Sequence, residues 1–168
     1  MSKIIYREAE PNDIPIILQF ILDLAEYEKL SHEVKATEQD LLEGLFCENP
    51  KAFCVLAEKD KKPVGFALCF YNYSTFQGKP GIYLEDLFVN PDYRGLGIGK
   101  GFFKYLAEKA VTEDCGRIQW WVLNWNEPSI NFYKSLGAVA QDEWTVYRLE
   151  GQSIKNLAGE RNDEKLCA

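Results

Sequence analysis

The feature that most restricts this chain is R-G-L-G-I-G-K-G, residues 94–101, where four glycines alternate with other residues behind an arginine. A glycine inside a regular element costs roughly 0.5 to 1 kcal/mol relative to alanine, so a run this bare marks a backbone that must turn sharply or be approached closely. The strand-like run "GIYLEDLFV" precedes it, and apolar residues at helical spacing follow over 97–112. A strand, a glycine turn and a helix call for a second strand beside the first, and "RIQWWVLN" (117–124) supplies it. The two strands are expected to lie parallel, joined by a right-handed helical crossover.

Spacing separates the phosphate-binding turns that could occupy this place. A dinucleotide fingerprint G-x-G-x-x-G begun at Gly95 meets Lys100, and begun at Gly97 it meets Phe102. A P-loop ending at Gly99-Lys100 needs glycine where Arg94 stands. What remains is Arg-x-x-Gly-x-Gly over Arg94 to Gly99, including Leu96 and Ile98. Here the amides of Gly95, Gly97, Gly99 and Lys100 can converge on an anion at a helix N-terminus, and a pyrophosphate fits such a nest. The alternative is a flexible β-to-α turn without a ligand.

Around this turn, "KIIYRE" (3–8) reads as a strand, and "PNDIPIILQFILDLAEYEKL" as turn formers opening a helix. Thr37 and Asp40 form a capping-box pattern ahead of a shorter helix in "LLEGLF". "AFCVLAE" and "PVGFALCFYNY", separated by "KDKK", read as a hairpin. After the crossover come a helix in "PSINFYKSL" capped by Gly137, a closing strand in "WTVYRLE" (144–150) and a polar tail over 151–168. The expected fold class is α/β: a mixed, mostly antiparallel sheet flanked by helices, with hairpins early and a βαβ crossover late.

The length of 168 residues and a 46% hydrophobic content suit a single domain spanning 1–168. No segment reaches the about 18 apolar residues of a membrane span, and the start lacks a secretory pattern, so the reading is soluble, cytoplasmic and not membrane-bound. A net charge of −7 argues against nucleic acid as a partner. With His32 the only histidine and five cysteines lacking any C-x-x-C pair, no metal site and no histidine-dependent triad is expected. Cys54 and Cys69, in apolar runs, read as reduced core residues.

Two carboxylates, Glu85 and Asp86, interrupt the apolar strand ahead of the turn. Strict alternation places Glu85 with Tyr83, Leu87 and Val89, and Asp86 with Leu84 and Phe88. Adjacent acids in an apolar strand are costly unless partnered, either by structural ion bridges or by a cationic substrate. Tyr133 recurs with Ile130 and Leu136 at helical spacing, which by itself describes a core aromatic.

With Arg94–Gly99 between a strand and a helix, the chain resembles the GNAT acetyltransferases, whose acetyl-CoA site carries [R/Q]-x-x-G-x-[G/A] at this position. "YLEDLFVNPDYRGLGIG" and "WNEPSINFYKSLGA" are similar to segments of the spermidine/spermine (diamine) N-acetyltransferases, a group that includes thialysine-acetylating enzymes. "LAEYEKL" and "ATEQDLLEGLF" agree with it in the first third, so the similarity runs from residue 3 to about 150.

The resemblance implies a GNAT fold, acetyl-CoA as cosubstrate, a small-molecule amine as acceptor and a homodimer. It implies that Leu87, Phe88 and Val89 pair with the pantetheine arm, that the Arg94–Lys100 turn and Asn126, Glu127, Pro128 and Ser129 hold the coenzyme, and that Tyr133 is the general acid. It implies an amine site at Tyr27, Glu28, Glu85, Asp86, Gln119, Trp120, Trp121 and Glu143, with Glu85 relaying the proton. For the last carboxylate the chain is shorter in "VAQDEW", leaving Asp142 and Glu143 both open. Acetyl transfer to such an amine is the expected reaction. A protein-lysine acetyltransferase and an acyl-CoA-binding sensor without turnover are the rival readings.

Overall fold

The computed structural model describes residues 3–159. Backbone contacts group the chain into two compact units, Met1–Glu127 and Pro128–Ala168, taken here in turn.

The first unit holds strands β1 (Ile5–Glu8), β2 (Phe53–Lys59), β3 (Lys62–Ser74), β4 (Lys79–Val89) and β5 (Ile118–Gln119), in sheet order β1-β2-β3-β4-β5. Helices α1 (Ile14–Glu28), α2 (Glu38–Phe46) and α3 (Ile98–Thr112) complete it. β1 to β4 pair antiparallel, and β5 lies parallel to β4 through Ile82↔Ile118 and Tyr83↔Gln119, with α3 as the crossover. The hairpin expected at "KDKK" forms: Lys59 faces Lys62, while Asp60 and Lys61 take positive φ of 52° and 63°. Two left-handed residues give the twist that a two-residue hairpin needs. Thr37 and Asp40 close the capping box at α2, each side chain bonded to the other's amide.

The sheet separates two apolar layers. On one face Ile14, Ile17 and Phe20 of α1 and Leu45 of α2 pack on Cys54, Leu56, Phe66 and Phe88. The Phe20 ring stacks on Phe66 at 5.8 Å and leans on Phe88 at 5.7 Å. On the other, α3 buries Phe102 and Leu106 completely, and Tyr6 of β1 meets Phe102 edge-on at 5.1 Å. Burying a side chain of this size contributes about 1.5–3 kcal/mol, so these layers fix where α1 and α3 sit on the sheet.

β4 departs from strict alternation. Leu68 faces Asp86 but the next residue, Cys69, faces Leu84, so Glu85 is an extra residue in a β-bulge. The bulge overturns the expected faces. Tyr83, Asp86 and Phe88 share the α1 side, opposite Phe70, Leu68 and Phe66, while Leu84 and Leu87 turn to α3. It also marks where β4 leaves β5, whose pairing stops at Tyr83. The strand expected over 117–124 is accordingly only Ile118–Gln119, because past Tyr83 the two chain segments no longer pair.

In the second unit, α4 (Glu127–Ser135) ends as anticipated at Gly137, whose φ is 85°, with the Gly137 and Ala138 amides donating to the Lys134 and Tyr133 carbonyls. α5 (Gln152–Leu157) follows in the tail. The closing strand expected at 144–150 does not form. Trp144 and Tyr147 are 74% and 92% exposed, and strand propensity without a neighbouring ladder leaves the backbone unpaired. Cys54 and Cys69 are buried as free thiols, Cys47 is exposed, and Cys167 lies outside the described residues. Among the described residues, no helix is long and apolar enough to cross a membrane.

Candidate active site

The turn between β4 and α3 is built before any ligand is considered. Asn90 Oδ1 accepts from the Asp92 amide at 3.0 Å, Pro91 opens a 3-10 turn through Tyr93, and the Asn90 amide is held by the Val64 carbonyl at 2.9 Å. The chain then enters Gly95 and Gly97, both at φ 79°, where a side chain would be strained. A Cβ added at either would meet nothing within 4 Å, so the space beside both glycines is open. Gly97 caps α3, and the first amides of α3, at Ile98, Gly99 and Lys100, have no intrahelical acceptor.

Gly101, the last glycine of the run, has a different cause. A Cβ on Gly101 would overlap the Tyr6 ring and hydroxyl, and that hydroxyl donates to the Ile98 carbonyl at 2.9 Å. Gly101 therefore lets β1 approach the first turn of α3 and hold it in place. Ile98 is buried beneath the turn while Leu96, Lys100 and Arg94 stand exposed. An open backbone at a positive helix end suits a diphosphate, so these residues fit the coenzyme expected of them.

The Arg94 side chain is engaged by the protein. Its Nε donates to the Val89 carbonyl at 3.0 Å, and its guanidinium lies 5.2 Å from the Tyr27 ring and 5.9 Å from Phe88. Tyr27 donates its hydroxyl to Oδ1 of the buried Asn126 at 3.2 Å, and its ring sits 6.0 Å from Trp125. The last turn of α1, the end of β4, the glycine turn and the chain leading to Glu127 thus meet around Tyr27.

Beside this junction stands an acidic face. The bulge leaves Glu85 exposed and turns Asp86 to the α1 side, where burial and the charges of Glu85 and Glu28 push its carboxyl up to about 6. Burial also raises Glu28 above the usual carboxylate range. Among the described residues, none of these three acids takes part in an ion pair. α1 carries no basic residue in its last turn, so its negative pole adds to the same potential. Such a site attracts a cation and can accept its proton.

The sheet face continues through aromatic residues. Tyr83 stacks on Phe70 at 4.8 Å and meets Trp121 edge-on at 6.0 Å. Gln119, opposite Tyr83, accepts from Asn72 at 2.9 Å. Trp120 does not join them: it packs edge-on against Phe103 of α3, at 4.9 Å, on the other side of the sheet. Leu87 also faces α3, whereas Val89 presents its carbonyl to Arg94. In the second unit, Pro128 and Ser129 open α4, Tyr133 lies half-buried on it with its ring 5.4 Å from Phe132, and Glu143 is exposed in a turn with Asp142. Sequence reasoning missed Tyr83, Phe70 and Trp125. Trp125 adjoins the "NEPS" segment, whereas Phe70 and Tyr83 gave no signal beyond strand propensity.

The chain is similar to known proteins in sequence and in fold. A sequence model of the family described as "Acetyltransferase (GNAT) family" matches residues 19–138. Thialysine N-epsilon-acetyltransferase of Sus scrofa is 41% identical over 95% of this chain and 99% of its own. Spermidine/spermine N(1)-acetyltransferase-like protein 1 of Homo sapiens is 37% identical over 92% of this chain and 24% of its own. Among solved structures, an integron cassette protein from the mobile metagenome of V. cholerae superposes with a TM-score of 0.77 at 31% identity, covering 94% of this chain and 98% of that one.

Proposed function

The chain belongs to the acetyltransferase (GNAT) family, whose members use acetyl-CoA, and on that premise we propose that it acetylates a primary amine of a di- or polyamine or of a lysine-like small molecule by direct attack. The observation that carries this reading is the acidic face of Glu28, Glu85 and Asp86, three carboxylates that form no ion pair among the described residues, beside an open turn suited to an anion. The names of the relatives, thialysine and spermidine/spermine acetyltransferases, point to substrates of this cationic class.

The reaction begins with a protonation problem. An alkylammonium titrates near the lysine value, so freeing it at neutral pH costs about 4 kcal/mol. Carboxylates bind the cation and raise its pKa, so they help only by taking the proton as attack proceeds, directly or through water. Glu85 was the residue expected to do this. We assign the relay to Glu85 and Asp86 together, with Asp86 the better tuned member, since a carboxyl near 6 is a stronger base than an ordinary one while still ionised at neutral pH.

The coenzyme supplies a thioester whose acyl carbon takes the amine's lone pair. The Arg94–Lys100 turn would hold the diphosphate, and the β4 backbone past Tyr83, which has no β5 partner, would orient the pantetheine arm as an added strand. Tyr133 is assigned the proton donor to the leaving thiolate from its place in N-F-Y-K of the family pattern. Tyr27, Gln119 and Trp121 would flank the acceptor; Asn126 to Ser129 would complete the coenzyme contacts. A homodimer in the cytoplasm is the accompanying reading, supported by family resemblance.

The test is thiol release from acetyl-CoA across spermidine, putrescine, diaminopropane, thialysine and lysine. Turnover of at least one amine is expected, falling by about 10²-fold or more in Tyr133→Phe with coenzyme affinity little changed. Coenzyme binding without turnover of any amine would leave a sensor, and equal turnover in Tyr133→Phe would remove that residue from the mechanism.

A further inference from the structure

Arg94 opens the glycine turn with its backbone, and its exposed side chain lies back along the protein surface. Nε donates to the Val89 carbonyl, and the guanidinium lies over the Tyr27 and Phe88 rings. Tyr27 reaches Asn126 through its hydroxyl and Trp125 through its ring, and it precedes Glu28 on the same helix end. One side chain therefore joins the end of the coenzyme strand and the coenzyme turn to the helix end that carries an acceptor carboxylate.

We propose that Arg94 is a positioning residue that couples the two substrates: through Tyr27 it ties the shape of the glycine turn to the acceptor end of α1, so that filling either site tightens the other. This rests on the reading of the turn as the coenzyme site. Gly95 and Gly97 hold left-handed conformations with open space beside them, and an anion bound to the amides of the turn would hold them there. Fixing Gly95 fixes the adjoining Arg94 backbone, and with it the guanidinium that lies over Tyr27. Tyr27 is itself 37% exposed, and α1 ends one residue later at Glu28, followed by the left-handed cap Lys29 with φ 63°. Its ring depends on Arg94, Trp125 and Asn126 for a fixed position. Contacts of this kind at an exposed site are individually weak, so the coupling is several-fold rather than absolute.

Thermodynamic linkage makes the claim measurable, because two ligands must change each other's affinity by one common factor. In calorimetric titrations of the full chain, using CoA and whichever of spermidine and thialysine is turned over faster, CoA should tighten the amine about 5- to 10-fold and the amine should tighten CoA equally. Arg94→Gln and Tyr27→Leu should each reduce both factors below about 2, and the double variant should lose nothing more. Tyr27→Phe, which keeps the ring, should retain most of the coupling. Arg94→Lys should not, because an ammonium lacks the planar fork. The coupling is a ratio taken within each variant, so a general loss of stability does not mimic the result.

Coupling that persists in Arg94→Gln, or that is absent in the unmodified protein when both ligands bind, overturns the proposal. So does a loss of CoA affinity above about tenfold in Arg94→Gln with pantetheine binding untouched, which would make the guanidinium a direct diphosphate ligand. If the unmodified protein binds no CoA, the coenzyme reading of the turn fails first.

Discussion

Two groups of carboxylates in the first unit meet opposite fates. At the outer end of the sheet, Asp13 and Glu58 each hold Arg7 at 2.7 Å, and the guanidinium lowers the Asp13 carboxyl below its usual value. At β4, Asp86 and Glu28 are raised instead, Asp86 to about 6, because burial removes solvent and no side-chain cation replaces it. The first arrangement fastens β1, β2 and the start of α1 together. The second forgoes that gain, and in the proposed function its negative charge receives the amine. Acids balanced within the fold serve the fold, and acids that form no ion pair among the described residues are the ones a ligand could use.

The sharpest way to break the comparison is Asp86→Asn. Removing this charge should lower kcat/KM for the amine by about 10²-fold and abolish an acid limb near pH 6. A pH–rate profile that keeps that limb would return the relay to Glu85 alone. The reciprocal change, Arg7→Met, leaves Asp13 and Glu58 half-buried without their cation and should cost about 2 to 3 kcal/mol in urea unfolding. Its pH–rate profile should match that of the unaltered chain, and a shifted profile would show that the two regions are not independent.

The smallest effect is on stability, where the two regions should respond to pH with opposite sign. The folded pKa of Asp86 lies above the unfolded value of 3.8, so its contribution is favourable below 3.8 and is lost as pH rises through about 6. Asp13 has a lowered folded pKa, so its contribution is present above 3.8 and is lost as pH falls further. The Asp86 shift sets a ceiling of about 3 kcal/mol for what Asp86→Asn could recover at neutral pH. An amide with unmet hydrogen bonds reduces this to about 1 kcal/mol. The stability difference between the two chains should therefore swing by about 3 kcal/mol, with Asp86→Asn the less stable chain near pH 4 and the more stable one above about 6; a constant gap across pH would show that the raised carboxyl is not its origin.

Local elements were legible where local chemistry decides them. The Thr37–Asp40 capping box, the "KDKK" hairpin, the start of α3 at Gly97 and the Gly137 helix end all depend on residues within a few positions of one another, and all formed. The bulge at Glu85 was not legible, because it is a property of β4 against β3 and period-2 counting has no term for an inserted residue. The strand expected at 117–124 is reduced to two residues and the one at 144–150 does not form, for a related reason. Aromatic and β-branched residues favour an extended chain, but only a strand running alongside turns it into part of a sheet.

The same division holds at the site. The order of residues determined that a helix must begin at a bare, anion-seeking turn and that two acids lie just ahead of it, because glycine conformation and charge belong to single residues. Three-dimensional packing decided which of the two acids is buried and raised, where the Arg94 side chain goes and what Gly101 is for, because each depends on what another segment brings alongside: Leu68 and Glu28 beside Asp86, Tyr27 beneath Arg94, and Tyr6 against Gly101.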